Sequence, residues 1–98
     1  MSVADIEQKL QSNADKLGEV GARVKFDFGD DRLLVDGTHS PATISHEDGD
    51  ADCTLVVSAD DMAKVMAGQL DPTMAVMTGK IKLKGSTAIA MKLAPLLK

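Results

Sequence analysis

The chain has 98 residues and a mass of 10.3 kDa, which is enough for one hydrophobic core, so we predict a single domain over residues 1–98. Hydrophobic residues make up 44% of the sequence and charged residues 27%, a balance that excludes an intrinsically disordered chain. The formal charge of −4 and an aromatic content of 2% exclude nucleic acid as a partner, because backbone binding needs cations and base stacking needs rings.

The cysteine content and the hydropathy pattern predict a cytoplasmic protein. Cys53 is the one cysteine and has no partner for an internal disulfide, which favours a reducing compartment. No apolar stretch approaches the roughly 18 residues of a membrane span. The sequence shows no signal peptide at its start and no S-K-L peroxisomal tripeptide at its end.

The first third of the chain predicts a helix followed by a β-hairpin. Ser2 is an N-cap residue with Asp5 three positions later, and apolar residues then recur at helical spacing as far as Leu17. The period then changes to two, and the apolar runs at residues 24–28 and 33–35 flank a tight turn. We therefore expect one amphipathic helix and two antiparallel strands.

The middle of the chain predicts two strands and two short helices. Strands are expected around Thr43–Ser45 and over Cys53–Val57, where β-branched residues are frequent. An S-x-x-D cap and a closing glycine predict a helix over residues 58–68. A D-P step and a second closing glycine predict another helix over residues 71–79.

The last part of the chain predicts a strand with one wet face and a final helix. Lys80–Lys84 alternates three lysines with two aliphatic residues, and Gly85 ends the strand. The three ammonium groups suit either a solvated sheet face or a contact with an anionic surface or partner. Ser86 or Thr87 caps the helix, and Pro95 disfavours its continuation, which leaves an apolar tail.

This order of elements predicts an α+β fold. The two helices between residues 57 and 80 span enough chain for a crossover connection. We therefore expect the last strand to lie parallel to a neighbour in one mixed sheet.

One acidic pattern resembles a calcium loop but fails on its ligands. Asp48, Asp50 and Asp52 alternate as calcium ligands do. However, Cys53 stands where the loop needs glycine and Ala59 where it needs a bidentate glutamate. We predict a solvated turn at this position.

The histidines and the cysteine also match no catalytic or metal pattern. His39 and His46 lack the spacing of a zinc site. Cys53 opens an apolar strand, where a small buried hydrophobe is expected rather than a nucleophile with a histidine base. We therefore predict no metal, no cofactor, no catalytic residue and no enzymatic activity.

Methionines are concentrated in one part of the chain. Five of the six lie within thirty residues, at Met62, Met66, Met74, Met77 and Met91. Methionine is unbranched and polarizable, so such a cluster suits ordinary core packing or an adaptable apolar binding cavity. The pattern of residues leaves both interpretations open.

Three stretches of the second half carry a more specific signature, at residues 51–54, 66–85 and 90–93. They contain in order A-D-C-T, a helix ending in glycine, a D-P step, an apolar pair ahead of G-K, an alternating K-I-K-L-K strand with a closing glycine, and A-M-K-L. On these motifs the chain resembles the sterol carrier protein lipid-binding domain family, in a free-standing form.

The resemblance implies a fold and a non-enzymatic function. The implied fold is a five-stranded mixed β-sheet with four to five helices over one face, enclosing an apolar tunnel. The implied function is binding and transfer of a sterol, fatty acid, fatty acyl-CoA or phospholipid. Thr78 departs from the glutamine that some family members carry just before G-K, which shortens a polar contact with the ligand.

The methionines and the neighbouring aliphatic residues are the predicted tunnel lining. Thr78 is the predicted polar anchor, and Leu96 with Leu97 is the predicted movable lid. The full predicted set is Met62, Met66, Met74, Met77, Thr78, Ile81, Leu83, Ile89, Met91, Leu93, Leu96 and Leu97. A lipid tail gains about 0.8 kcal/mol per buried methylene, so binding by apolar transfer with weak selection for shape is expected.

The expected partner is a lipid or fatty acyl-CoA, with transient membrane contact and a monomeric or weakly homodimeric chain. Two other functions stay open, because a fold does not by itself define a function. One is an accessory or dimerisation domain of the same fold without ligand binding. The other is an enzyme that uses Cys53 or the histidines.

Overall fold

A five-stranded sheet lies at the centre of this computed structural model, which describes residues 2–97. The strands are β1 (Arg23–Asp27), β2 (Arg32–Asp36), β3 (Thr43–Ser45), β4 (Cys53–Val57) and β5 (Ile81–Gly85). They lie side by side in the order β3-β2-β1-β4-β5. The predicted α+β class and the mixed five-stranded sheet are confirmed.

The pairing of the last strand differs from the prediction. β5 runs antiparallel to β4, and the parallel neighbour of β4 is β1. Val57 pairs with Ile81, so the helices between them return the chain to the same end of β4 at which it left. The expectation of a parallel last strand is wrong because two short helices run out and back, whereas a crossover must reach the opposite end of the sheet.

The helices are α1 (Val3–Ser12), α2 (Ala14–Leu17), α3 (Ala59–Met66), α4 (Pro72–Met77) and α5 (Thr87–Leu93), followed by a 3-10 turn at Ala94–Leu97. The single helix predicted as far as Leu17 is wrong, because the chain leaves helical geometry at Asn13, where φ is −109° and ψ is 16°. Asparagine is a poor helix former, since its amide competes with the backbone for hydrogen bonds. Of the helices between residues 2 and 97, none is long and apolar enough to cross a bilayer.

The hydrophobic core lies between the helices and one face of the sheet. Val24 and Phe26 of β1 point into this core, and Lys25 between them points to the other face. Ile6 of α1 and Val65 of α3 cover the strands from the helical side, and both are fully buried. The alternation of two along the strands therefore separates the packed face from the polar face.

The polar face of the sheet is partly covered by the loop that follows β3. Lys25 Nζ lies 2.8 Å from Oδ1 of Asp48, and Arg32 Nε lies 3.8 Å from the same oxygen. Gly49 packs against Leu34, since a Cβ at this glycine would lie 3.1 Å from Leu34 Cδ2. The carboxylate of Asp48 thus holds the loop on cationic side chains of the sheet.

Candidate functional site

An apolar groove with a volume of about 220 Å³ lies between α4, β5, α5 and the 3-10 turn. Its floor is formed by the buried side chains of Leu55 and Ile81 together with Leu83. The walls are Pro72, Thr73, Val76, Met77, Thr87, Ala90, Met91, Ala94 and Leu97. Ten of the twelve lining residues are apolar, so the groove suits a hydrocarbon chain and has few groups to bind a polar one.

The N-cap of α4 positions the helix beside the groove. Oδ1 of Asp71 accepts hydrogen bonds from the backbone N–H of Thr73 at 2.8 Å and of Met74 at 3.3 Å. Pro72 occupies the first helical turn, where its fixed φ favours the helix and its missing N–H is not needed. Ala75 is fully buried against the core. The helix therefore packs one side on the core and presents an adjacent side to the groove.

Helix α5 divides its side chains between the groove and the core. The residues of α5 that line the groove are Thr87, Ala90 and Met91, which lie within about one turn of the helix. Ile89 and Leu93, four residues apart, pack on the hydrophobic core instead. Residues three to four apart share one face of a helix, so α5 carries two distinct apolar faces.

Strand β5 forms an edge of the sheet and one side of the groove. Ile81 and Leu83 line the groove, whereas Lys82 and Lys84 alternate with them and are exposed. The predicted wet face of this strand is therefore confirmed. Lysines on an edge strand also discourage pairing with another chain.

Exposed methionines border the opening of the groove. Met77 and Met91 each expose 75% of their surface, although both line the groove. Val76 is 40% exposed at the same opening. The apolar lining thus continues onto the surface of the protein, and an enclosed tunnel stays a prediction.

The groove brings together five of the twelve residues that the sequence predicts for the site. These five are Met77, Ile81, Leu83, Met91 and Leu97. They come from four different elements, and the fold places them within one cavity. Their contact with a lipid stays a prediction.

Five other predicted residues lie in or against the core rather than in the groove. Met62 and Leu93 are 0% and 1% exposed in the core. Met66, Ile89 and Leu96 are partly buried and pack on the same core. Their side chains are directed inward because each shares a helical face with core residues. A role for them in binding requires the groove to deepen, and this too stays a prediction.

The last two predicted residues lie on α4 or at its end. Met74 is 53% exposed and does not line the groove. The Thr78 hydroxyl donates to the carbonyl of Met74 at 2.9 Å, so it closes the last turn of α4. The roles of Thr78 as polar anchor and of the 3-10 turn as movable lid stay predictions.

Seven lining residues were not in the predicted set: Leu55, Pro72, Thr73, Val76, Thr87, Ala90 and Ala94. Their signal is present in the sequence, since Pro72 and Val76 lie four residues apart and Thr87 and Ala94 lie seven apart. Such spacings place side chains on one helical face. Steps of three or four residues from Met77 and Met91 reach three of the seven, Thr73, Thr87 and Ala94.

The cysteine and the two histidines lie away from the groove. Cys53 is fully buried, and burial raises the pKa of its thiol. Nε2 of His46 lies 2.7 Å from Oε1 of Glu7, and Nδ1 lies 3.1 Å from Oδ1 of Asp31. His39 Nδ1 lies 3.0 Å from the carbonyl of Pro41. In the described part of the chain, no group of three or more His, Cys, Asp or Glu side chains has an arrangement that could hold a metal ion.

Two sets of relatives match parts of this sequence. Sterol carrier protein 2 of Gallus gallus is 32% identical over 97 residues, which cover 91% of this chain and 18% of that protein. Hydroxysteroid dehydrogenase-like protein 2 of Bos taurus is 49% identical over 47 residues, which cover 48% of this chain and 11% of that protein. The chain thus spans between a tenth and a fifth of the length of these relatives.

Two solved structures share the fold of this chain. Palmitated SCP2L2 from Aedes aegypti has a TM-score of 0.76 and 21% identity, with 99% of this chain and 95% of that one covered. Apo sterol carrier protein 2 from Yarrowia lipolytica has a TM-score of 0.72 and 24% identity, with 95% and 84% covered. The fold is therefore that of a sterol carrier protein domain. The sequence model of the SCP-2 sterol transfer family matches residues 3–98, and the chain belongs to this family.

Proposed function

We propose that this protein binds a lipid by its aliphatic chain in the apolar groove and transfers it without catalysing a reaction. The groove itself carries the proposal, because its walls are almost entirely apolar and open to the surface. Each methylene that leaves water contributes about 0.8 kcal/mol, so affinity increases with chain length and depends little on the headgroup. The ligand class comprises sterols, fatty acids, fatty acyl-CoA and phospholipids, in keeping with the family.

The size of the groove favours a single chain as the first occupant. Its volume of about 220 Å³ lies below the roughly 300–1,000 Å³ that is typical of sites for drug-sized ligands. A sterol or a second acyl chain requires the groove to deepen by movement of Met77, Met91 or the 3-10 turn. The structure of palmitated SCP2L2 from Aedes aegypti shares this fold, which supports a fatty acyl chain.

The absence of catalysis is also part of the proposal. A nucleophilic cysteine needs an accessible thiolate, whereas Cys53 is buried and its pKa is raised. His46 is engaged by two carboxylates, neither of which belongs to the groove lining. We place the protein in the cytoplasm, where a lone thiol stays reduced.

A displacement assay tests the proposal. The chain has no Trp and no Tyr, so the readout is a fluorescent fatty-acid analogue displaced by unlabelled fatty acids of increasing length, acyl-CoA or sterol. We expect saturable binding that strengthens with chain length. No saturable signal with any of these ligands contradicts the proposal.

A pair of matched variants on α5 tests whether the groove is the site. Ala90→Leu adds volume to the groove wall and should weaken binding by about tenfold, since overpacking a site costs about 1–3 kcal/mol. Ala88→Leu makes the same change two residues away at an exposed position outside the lining. Equal effects of the two variants would place the binding site elsewhere.

An accessory or dimerisation domain is the second candidate, and the exposed methionines favour it. In such a dimer, a second copy of the chain covers the exposed side chains of Met77 and Met91. In that case sedimentation velocity shows a dimer that Met91→Ser dissociates, and the displacement assay shows no saturable signal.

A further inference from the structure

The methionines within residues 2–97 differ in exposure, and three of the five lie open to solvent. Met77 and Met91 each expose 75% of their surface, and Met74 exposes 53%. Met62 is fully buried, and Met66 is partly buried against the core. A water-soluble reagent therefore reaches the three exposed side chains directly, whereas it reaches Met62 only when the fold opens.

The exposed methionines are also the most accessible oxidisable side chains of this chain. Peroxides attack cysteine as the thiolate, whereas Cys53 is fully buried and burial raises the pKa of its thiol. The chain has no Trp and no Tyr. Within residues 2–97, a peroxide therefore encounters Met74, Met77 and Met91 before any thiol.

Two of the three exposed methionines line the apolar groove, and the third does not. Met77 lines the groove from α4, and Met91 lines it from α5. Met74 lies on α4 three residues before Met77 but outside the lining. Oxidation of Met74 therefore changes only the surface of the protein, whereas oxidation of Met77 or Met91 changes the wall of the groove.

Oxidation of methionine by hydrogen peroxide transfers one oxygen atom. A lone pair of the sulfur attacks one peroxide oxygen, an S–O bond forms and the O–O bond breaks. The second oxygen leaves with both protons as water. The sulfur loses two electrons and the peroxide gains them, so no other reactant is needed. The product, methionine sulfoxide, has a polar group where the thioether was apolar.

A sulfoxide in the wall opposes the binding of a hydrocarbon chain. A bound chain covers Met77 and Met91 and removes the sulfoxide oxygen from water. Of the twelve lining residues, only Thr73 and Thr87 carry a side-chain hydroxyl, so the oxygen is surrounded mainly by apolar atoms. Burial of a polar group without a hydrogen-bond partner reduces affinity by a factor of roughly 5–150.

The exposure of the two groove methionines also makes their oxidation reversible. A methionine sulfoxide reductase restores the thioether with two thiols, which become a disulfide while the oxygen leaves as water. The enzyme must reach the side chain, and Met77 and Met91 are accessible in the folded protein. Oxidation of a core residue such as Met62 would instead disrupt packing, and its repair would require unfolding.

We propose that Met77 and Met91 form a reversible oxidation site, which switches lipid binding off when a peroxide converts them to sulfoxides. The thioethers complete the apolar wall of the groove, whereas the sulfoxides place polar oxygen atoms in it. The effect on lipid binding rests on the proposed function. The order in which the methionines oxidise follows from their exposure alone.

Hydrogen peroxide treatment of the folded protein, followed by peptide mapping with mass spectrometry, tests the site. We expect Met77 and Met91 to gain one oxygen each well before Met62, with an unchanged circular dichroism spectrum. The displacement assay should then show fatty-acid binding weakened about tenfold, and a methionine sulfoxide reductase with a dithiol should restore it. Equal oxidation rates of Met62 and Met77, or a loss of binding that the reductase does not reverse, overturns the proposal.

Leucine variants assign the loss of binding to the groove methionines. Leucine has a volume similar to that of methionine and cannot be oxidised in this way. The measured quantity in each protein is the ratio of affinities after and before peroxide, so the starting affinity of a variant does not enter. We expect Met77→Leu with Met91→Leu to keep a ratio near one, and Met74→Leu to lose binding as the unmodified protein does. Equal losses in the two variants overturn the assignment to the groove.

The affinity before treatment separates the two proposals. If the untreated protein shows no saturable fatty-acid binding, the proposed function fails and the switch fails with it. If the untreated protein binds the fatty acid and the protein oxidised at Met77 and Met91 binds it equally well, the proposed function stands and the switch alone fails.

Discussion

Met77 and Met62 are the same residue type on neighbouring short helices, yet they lie in opposite environments. Met62 is fully buried, whereas Met77 is 75% exposed at the groove. Met62→Ala should cost about 2–5 kcal/mol of unfolding free energy, because it leaves a cavity in the core. Met77→Ala should cost less than about 1 kcal/mol, as surface substitutions do, and weaken fatty-acid binding roughly fourfold for each ligand methylene that it leaves in water.

Urea unfolding followed by circular dichroism, together with the displacement assay, measures both effects. A Met77→Ala variant as unstable as Met62→Ala, with unchanged binding, would show that Met77 belongs to the core and not to the site.

His46 links α1 to the turn between β1 and β2 through its bonds to Glu7 and Asp31. The hydrogen bonds to Asp31 and Glu7 raise the pKa of His46 above its ordinary value of 6.5. Below the unfolded pKa both states are protonated, and the stabilising contribution is fully present. As the pH rises through the higher folded-state pKa, the charge is lost and the contribution disappears.

We therefore expect the thermal midpoint of the protein to exceed that of His46→Gln most clearly below pH 6.5 and to approach it at alkaline pH. Melting curves of both proteins across this range measure the difference. A gap that widens as the pH rises would contradict the assigned ion pairs.

At the scale of elements, the cap of α4 controls one wall of the groove. Asp71 accepts two backbone hydrogen bonds at the start of a helix of six residues, so the helix depends strongly on it. Asp71→Ala should cost about 0.5–2 kcal/mol and weaken fatty-acid binding, because the wall frays. Asp50→Ala, at an exposed position in the loop before β4, is the control. Equal stability and binding of the two variants would rule out this role of the cap.

Most helices and strands follow from local rules, and the exceptions have identifiable causes. The predicted caps Ser58, Asp71 and Ser86 each bond the backbone of the helix they precede. Asn13 interrupts the first helix because asparagine disfavours helical geometry. The apolar spacing of the sequence nevertheless continues past this residue. The spacing of apolar residues shows which side chains share one face of a helix. It therefore gives no signal where a helix is interrupted but the same face continues.

At the scale of the whole molecule, the backbone of β5 approaches the backbone just before β4 most closely at Gly85. Gly85 has a φ of 93°, and a Cβ there would overlap the carbonyl of Asp52. The same carbonyl accepts from the N–H of Ser86 at 3.0 Å. Gly21 has a similar φ of 76° but open space around it.

The two glycines therefore form a matched pair. Gly21→Ala should cost about 1–2 kcal/mol for its left-handed backbone, and Gly85→Ala roughly 2 kcal/mol more because the clash displaces backbone. Urea unfolding midpoints measure the difference. Equal losses of stability in the two variants would mean that the backbone between β4 and β5 moves apart at no cost in free energy.

The amino-acid sequence by itself determined most of the helices and strands of this protein, the wet face of β5 and the family, because caps, alternation and motifs depend on neighbouring residues. β3 and β4 have the bounds that the sequence predicts. Only the tertiary structure decided the strand order, since Val24 beside Cys53 is a pairing across 29 positions. It also decided which apolar residues line the groove and which fill the core. The spacing of Met62 and Met77 identifies a helical face, but the element packed against that face decides whether the side chain meets protein or solvent.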